Sequence, residues 1–217
     1  MTPEFCIFPL SETAVTVDFG NVISPEINSL AIALANKLNA KPFPGMVEAV
    51  PAYASITVLF DSPLNFDRKD IEASLRGIIG SLRPNETIGR RIDIPVTFDL
   101  HGELDLAFVA EHSRCSIHEV IDIFIAAEYR VYMLGFLPGF SYMGEVDERI
   151  ATPRRESPRT VVPKGSVGIA GRQTGIYSLP SPGGWQLIGR TEVEMFTPNA
   201  DSPTYLNAGD LVRFVPV

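Results

Sequence analysis

The chain has 217 residues, 45% hydrophobic and 20% charged, which is the composition of a soluble globular protein of one large domain or two small ones and excludes a disordered chain. Its formal charge is −8, and the charge is uneven: residues 1–128 carry 9 Lys/Arg against 18 Asp/Glu (−9), whereas the rest carries 9 against 8 (+1). No basic run is present, so no nucleic-acid partner is expected. Met1-Thr2-Pro3-Glu4 lacks the basic start of a signal peptide, and no apolar stretch reaches the ~18 residues of a membrane span, so the expected location is cytoplasmic with no membrane partner.

Phe5–Leu10 and Ala14–Phe19 read as strands, the second β-branched at Val15, Thr16 and Val17. Ser24 is a candidate N-cap, with Pro25 at the first helical position and Glu26 in the first turn. Ile27, Leu30, Ala31, Leu34 and Leu38 then follow the helical period, and Asn39 is a candidate end. Met46–Val50 and Ser55–Phe60 are the next strands. Asp67 is a candidate cap for a helix bearing Ile71, Leu75, Ile78 and Leu82, with Pro84 as its stop. The β-β-α-β-β-α order predicts a small sheet with helices on one face.

Pro84–Thr87 is the candidate linker, dividing the chain into domains 1–88 and 89–217. Arg91–Phe98 reads as a strand, then Leu104–His112 and Ile117–Tyr129 as helices, the second capped by Ser116. From Arg130 onward short β-rich runs (Val131–Leu134, Ser166–Ala170, Ile176–Leu179, Trp185–Ile188, Leu211–Val217) alternate with Gly/Pro turns, the pattern of a barrel or closed sandwich.

Four segments carry candidate chemistry. They are Gly135–Tyr142; Pro153-Arg154-Arg155 with Pro158-Arg159; Val162–Gly171, which contains Lys164; and Ser181-Pro182-Gly183-Gly184-Trp185 leading to Gly189-Arg190-Thr191. Each joins glycines, which free backbone amides for an anion, to a nearby cation suited to carboxylate or phosphate. Turns in a compact barrel with solvated arginines would explain any one of them; four together, with the sole tryptophan beside a Gly-Gly turn, favour a site.

Familiar catalytic machinery is absent from the sequence. Lys164-Gly165-Ser166 has its residues in the wrong order for a P-loop, and Gly165–Gly168 has the wrong spacing for a nucleophile elbow. His101, His112 and His118 are not clustered at ligand spacing, so no metal is expected, and Cys115 beside Arg114 lacks an evident base. Cys6 and Cys115 could pair, but two cysteines make no disulfide framework. No catalytic residue is assigned.

Read together, Phe8-Pro9-Leu10, Phe19-Gly20, Ile23–Ile27, Pro42–Gly45 and the nearly continuous block from Glu128-Tyr129-Arg130 through Arg190-Thr191 resemble the KipI/PxpB family, also called the allophanate hydrolase subunit 1 family, of carboxyltransferase domain subdomains C and D. The resemblance implies an α+β chain: a small α/β amino-terminal domain followed by a cyclophilin-like β-barrel. It further implies the B-type component of an ATP-dependent 5-oxoprolinase, working with KipA/PxpC-like (C-type) and PxpA-like (A-type) partners. That complex opens the lactam of 5-oxo-L-proline to L-glutamate with ATP and water, and phosphorylation of the lactam oxygen would supply the leaving group.

On this resemblance Arg154, Arg159 and Arg190 are the expected anion partners, joined by Lys164. Pro138, Gly139, Phe140, Gly183, Gly184 and Trp185 are expected pocket walls, with Thr174 and Tyr177 as polar contacts. Three features depart from the family pattern: Phe124-Ile125 replaces a His-Thr pair, Ser141-Tyr142-Met143 a Pro-Phe/Tyr-Leu, and Lys164 an Ala. Other roles known for the fold are a component of a urea- or allophanate-processing carboxyltransferase, an inhibitor of a sensor histidine kinase and, more distantly, a peptidyl-prolyl isomerase.

Overall fold

The computed structural model describes residues 4–62, 68–82, 89–102 and 104–217, and divides into two compact units, Met1–Ile88 and Gly89–Val217. The cap Asp67, the stop Pro84 and the linker Pro84–Thr87 lie outside the described residues.

The first unit holds strands β1 (Cys6–Ser11) and β2 (Ala14–Asp18), helix α1 (Pro25–Ala40), strands β3 (Met46–Pro51) and β4 (Ser55–Phe60), and helix α2 (Arg68–Gly80). The strands form an antiparallel sheet in the order β1-β2-β4-β3. Strand side chains alternate between faces, so Val15 and Val17 of β2 and Ile56, Val58 and Phe60 of β4 share one face. They bury there against Leu34 and Leu38 of α1 and Leu75 and Ile79 of α2, which places both helices on that face. Fully burying each such side chain contributes about 1.5–3 kcal/mol.

Helix α1 starts where Ser24 Oγ accepts from the Ile27 amide at 3.1 Å, with Pro25 at the first turn. It runs one residue past Asn39. That side chain bonds both backbone groups of Ala49 on β3 (2.9 and 2.7 Å) and so ties the helix end to the sheet.

The second unit comprises β5 (Arg91–Phe98), α3 (Leu106–Ser113), α4 (Ile117–Ala126), β6 (Tyr129–Leu134), β7 (Ser141–Gly144), a 3-10 turn (Glu148–Ile150), β8 (Arg159–Val162), β9 (Ser166–Ala170), β10 (Gln173–Ile176), β11 (Ser181–Gly183), β12 (Gln186–Arg190) and β13 (Leu211–Pro216). Seven strands close into a barrel in the order β10-β7-β6-β13-β5-β12-β9, and β8 and β11 pair as a separate ribbon. Ile94 and Val96 of β5, Met143 of β7, Val167 and Ile169 of β9, Ile176 of β10, Ile188 of β12 and Phe214 of β13 fill one core. Ser116 and Glu119 form a reciprocal capping box at the start of α4.

Phe124, the first residue of the expected departure at 124–125, is fully buried in this core. Its ring stacks on Phe214 at 4.9 Å, and Tyr129 donates to its carbonyl at 2.8 Å. This position therefore belongs to the packing of the barrel in this chain. Cys6 and Cys115 are both free thiols. Among the described residues no helix is long and apolar enough to cross a membrane.

Candidate functional site

Strand parity builds the site. Where Met143, Val167, Ile169, Ile176 and Ile188 point into the barrel, the alternate residues Tyr142, Gly168, Gly175 and Leu187 point out. On that outer face two glycines leave hollows. A Cβ on Gly175 would lie 3.0 Å from Phe140 Cζ and 3.1 Å from Trp185 Cζ3, and one on Gly168 would lie 3.1 Å from Trp185 Cβ. The hollows admit the Phe140 and Trp185 rings, which cross edge to face at 5.5 Å.

These rings floor a cavity of about 270 Å³ lined by Phe136, Phe140, Tyr142, Arg154, Arg155, Pro158, Tyr177, Pro182, Gly183, Gly184 and Trp185. Three of the four segments singled out in the sequence thus meet in one place. Tyr177 meets Phe140 edge to face at 5.2 Å, and the Trp185 backbone amide faces its hydroxyl oxygen. A side chain at Gly183 would collide with the Tyr177 ring, so the glycine there is a packing requirement. Phe136 takes a left-handed conformation (φ 67°) uncommon for an aromatic residue, and the residue is 59% exposed. Such strain persists where surrounding structure enforces it, and it clusters at functional sites.

The charge on the wall is cationic. Arg154 lies 6.0 Å over the Trp185 ring and has no carboxylate partner among the described residues. Arg155 donates its backbone amide to the Gly184 carbonyl at 2.7 Å. Its Nη1 and Arg159 Nη2 both donate to Asp105 Oδ1, at 2.7 and 2.8 Å. Burial raises the Tyr177 phenol above its usual value, partly opposed by the Trp185 backbone bond and by Arg154 and Arg159. Tyr142 is raised for the same first reason, with Arg154 opposing.

Of the predicted site residues, Phe140, Arg154, Tyr177, Gly183, Gly184 and Trp185 line the cavity. Gly139, at φ 77°, packs against Met195 and turns the chain so that Phe140 enters the hollow; Pro138 is exposed beside it. Arg159 stands behind the wall on Asp105. Three expectations meet a different geometry. Thr174 shares the inward parity of Ile176, is fully buried, and donates to the Gly168 carbonyl at 3.0 Å. Lys164 and Arg190 line a separate crevice of about 70 Å³, where they pair with Glu194 (3.0 Å) and Glu192 (3.5 Å).

Sequence reasoning missed Phe136, Tyr142, Arg155 and Asp105. The first three lie inside the segments it singled out, whereas Asp105 looks like an ordinary helix-start aspartate. Among the described residues no group of His, Cys, Asp and Glu could hold a metal ion.

Comparison with known proteins places the whole pattern. Residues 5–206 match the family described as carboxyltransferase domain, subdomain C and D. A relative from Bacillus subtilis (strain 168), named as the B subunit of 5-oxoprolinase, is 41% identical, over 100% of this chain and 95% of its own. The 5-oxoprolinase B subunit of Escherichia coli O157:H7 is 42% identical over 95% of this chain and 94% of its own. The solved structure of TTHA0988 superposes with a TM-score of 0.82 at 39% identity over 94% of this chain, which spans only 40% of that longer polypeptide.

Proposed function

Since the chain belongs to the carboxyltransferase-domain family, subdomains C and D, and aligns nearly end to end with relatives named as 5-oxoprolinase B subunits, we propose that it is the B subunit of an ATP-dependent 5-oxoprolinase and contributes part of a shared active site. The observation that carries this reading is the Arg154 guanidinium, without a carboxylate partner among the described residues, held over Trp185 at a small aromatic cavity. 5-Oxo-L-proline is a flat five-membered lactam bearing one carboxylate. Edge-on aromatic walls suit its ring, and an arginine suits its charge.

A cavity of about 270 Å³ lies just under the usual 300–1,000 Å³ of ligand sites. It fits the small acid, whereas a nucleoside triphosphate would be held mainly by other surfaces, in keeping with the lack of a P-loop. ATP enters as co-substrate of the complex: transfer of its γ-phosphoryl group to the lactam oxygen activates a poor electrophile for attack by water. The role of this chain is to bind, orient and electrostatically stabilise. The partners are the A- and C-type subunits, which supply the remaining groups.

The family description also fits a carboxyltransferase component of urea metabolism, a second reading that needs biotin delivered by a partner. Reconstitution separates them. The chain mixed with its A- and C-type partners is expected to hydrolyse ATP only when 5-oxo-L-proline is added, and to lose that activity when any one component is omitted. Full turnover by the chain alone, or dependence on urea and biotin instead, overturns the proposal.

A further inference from the structure

Asp105 stands at the N-cap of α3, where an aspartate ordinarily accepts from the first free amides of the helix, yet its side chain makes no capping bond. The carboxylate, only 7% accessible, turns the other way. Oδ1 accepts from Arg155 Nη1 at 2.7 Å and from Arg159 Nη2 at 2.8 Å, and Oδ2 accepts from the Leu187 amide at 2.8 Å. Its backbone amide donates to the Leu187 carbonyl at 2.8 Å. One side chain thus fastens the 153–159 loop to strand β12, two residues from Trp185. A single negative charge faces two guanidinium groups, and Arg159 Nη1 stays buried without a partner.

We propose that Asp105 is a positioning residue for the anion pocket: it fixes Arg155 in the wall and, through the loop, sets Arg154 over Trp185. This rests on the reading of the cavity as the site of the anionic substrate. On charge alone, a carboxylate behind an anion site weakens binding, and its removal would tighten it. Positioning demands the opposite sign, because guanidinium forks released from their anchor lose the geometry that makes them selective for a carboxylate.

Two measurements on Asp105→Asn decide the matter. In the complex with the A- and C-type partners, KM for 5-oxo-L-proline is expected to rise at least tenfold while kcat stays within threefold. A merely structural role would lower the folded fraction, and so apparent kcat, at unchanged KM. A KM that falls or does not move overturns the proposal.

In hydrogen exchange on the full chain, peptides spanning 153–159 and 184–188 are expected to exchange at least tenfold faster, with β13 and α1 at wild-type rates. Unchanged rates in the first pair, or uniform acceleration everywhere, overturn it. If the wild-type complex does not use 5-oxo-L-proline, the functional reading falls, and the exchange result still decides whether Asp105 positions the loop. Should Asp105→Asn not accumulate, Arg155→Lys keeps the charge but loses the fork, and is expected to move both readouts in the same direction by a smaller factor.

Discussion

Gly175 lies directly beneath Trp185: a Cβ at this position would stand 3.1 Å from Cζ3 of the indole and 2.7 Å from the Ser141 carbonyl oxygen. The second contact is with backbone and cannot yield cheaply. Gly175→Ala is therefore expected to cost about 1–3 kcal/mol through overpacking. For a chain of this size that lowers Tm by several degrees, and the tryptophan emission should shift as the ring is displaced. An unchanged Tm and spectrum would show that the hollow is not needed.

Tyr129 gives the barrel a defined alkaline limit. Burial, with a smaller contribution from Asp147, raises its phenol above the usual 10.0. The folded state then keeps a proton that the unfolded state releases, so the stabilisation is complete below about pH 10 and declines as pH rises further. The slope approaches ~1.4 kcal/mol per pH unit. Tyr129→Phe is expected to lessen this slope, leaving the smaller parts of Tyr142 and Tyr177, while losing, at neutral pH, about 1 kcal/mol for the bond to the Phe124 carbonyl. Denaturant titrations from pH 8 to 11 read both effects.

Arg190 serves as the control for charge without placement. It is half-exposed and pairs at 3.5 Å with Glu192 in a crevice separate from the aromatic cavity. Exposed pairs of this kind contribute about 0–1 kcal/mol. Arg190→Ala is expected to change KM for 5-oxo-L-proline less than threefold and Tm by no more than a degree or two. A tenfold rise in KM would relocate the anion site to that crevice.

Much of this was legible in the residues. Ser24-Pro25 and Ser116 mark helix starts because capping is local chemistry, and Ser55–Phe60 and Arg91–Phe98 read as strands because alternation survives in one dimension. The register of β10 did not. Ile176–Leu179 looked like the strand, but pairing with β7 and β9 places it at Gln173–Ile176, because glycine at 175 is poor strand chemistry chosen to admit a ring from elsewhere. Thr174, expected as a polar contact on the resemblance, shares the parity of Ile176 and faces the barrel interior.

Asp105 was illegible for a related reason. Its identity fits a helix cap, and only the fold brings Arg155, Arg159 and Leu187, 50 or more residues away, to its carboxylate. The family block, by contrast, survives such local ambiguity because it spans most of the chain.

Replacing Arg154 by Ala in the complex reconstituted with the A- and C-type partners removes the guanidinium over Trp185 and leaves the rest of the cavity in place. With ATP saturating and assembly checked by gel filtration, KM for 5-oxo-L-proline is expected to rise at least tenfold, as befits loss of a charge-assisted contact of about 1.5–3 kcal/mol. A KM equal to that of the wild type, in a complex of the same size, would mean that the substrate carboxylate is held elsewhere.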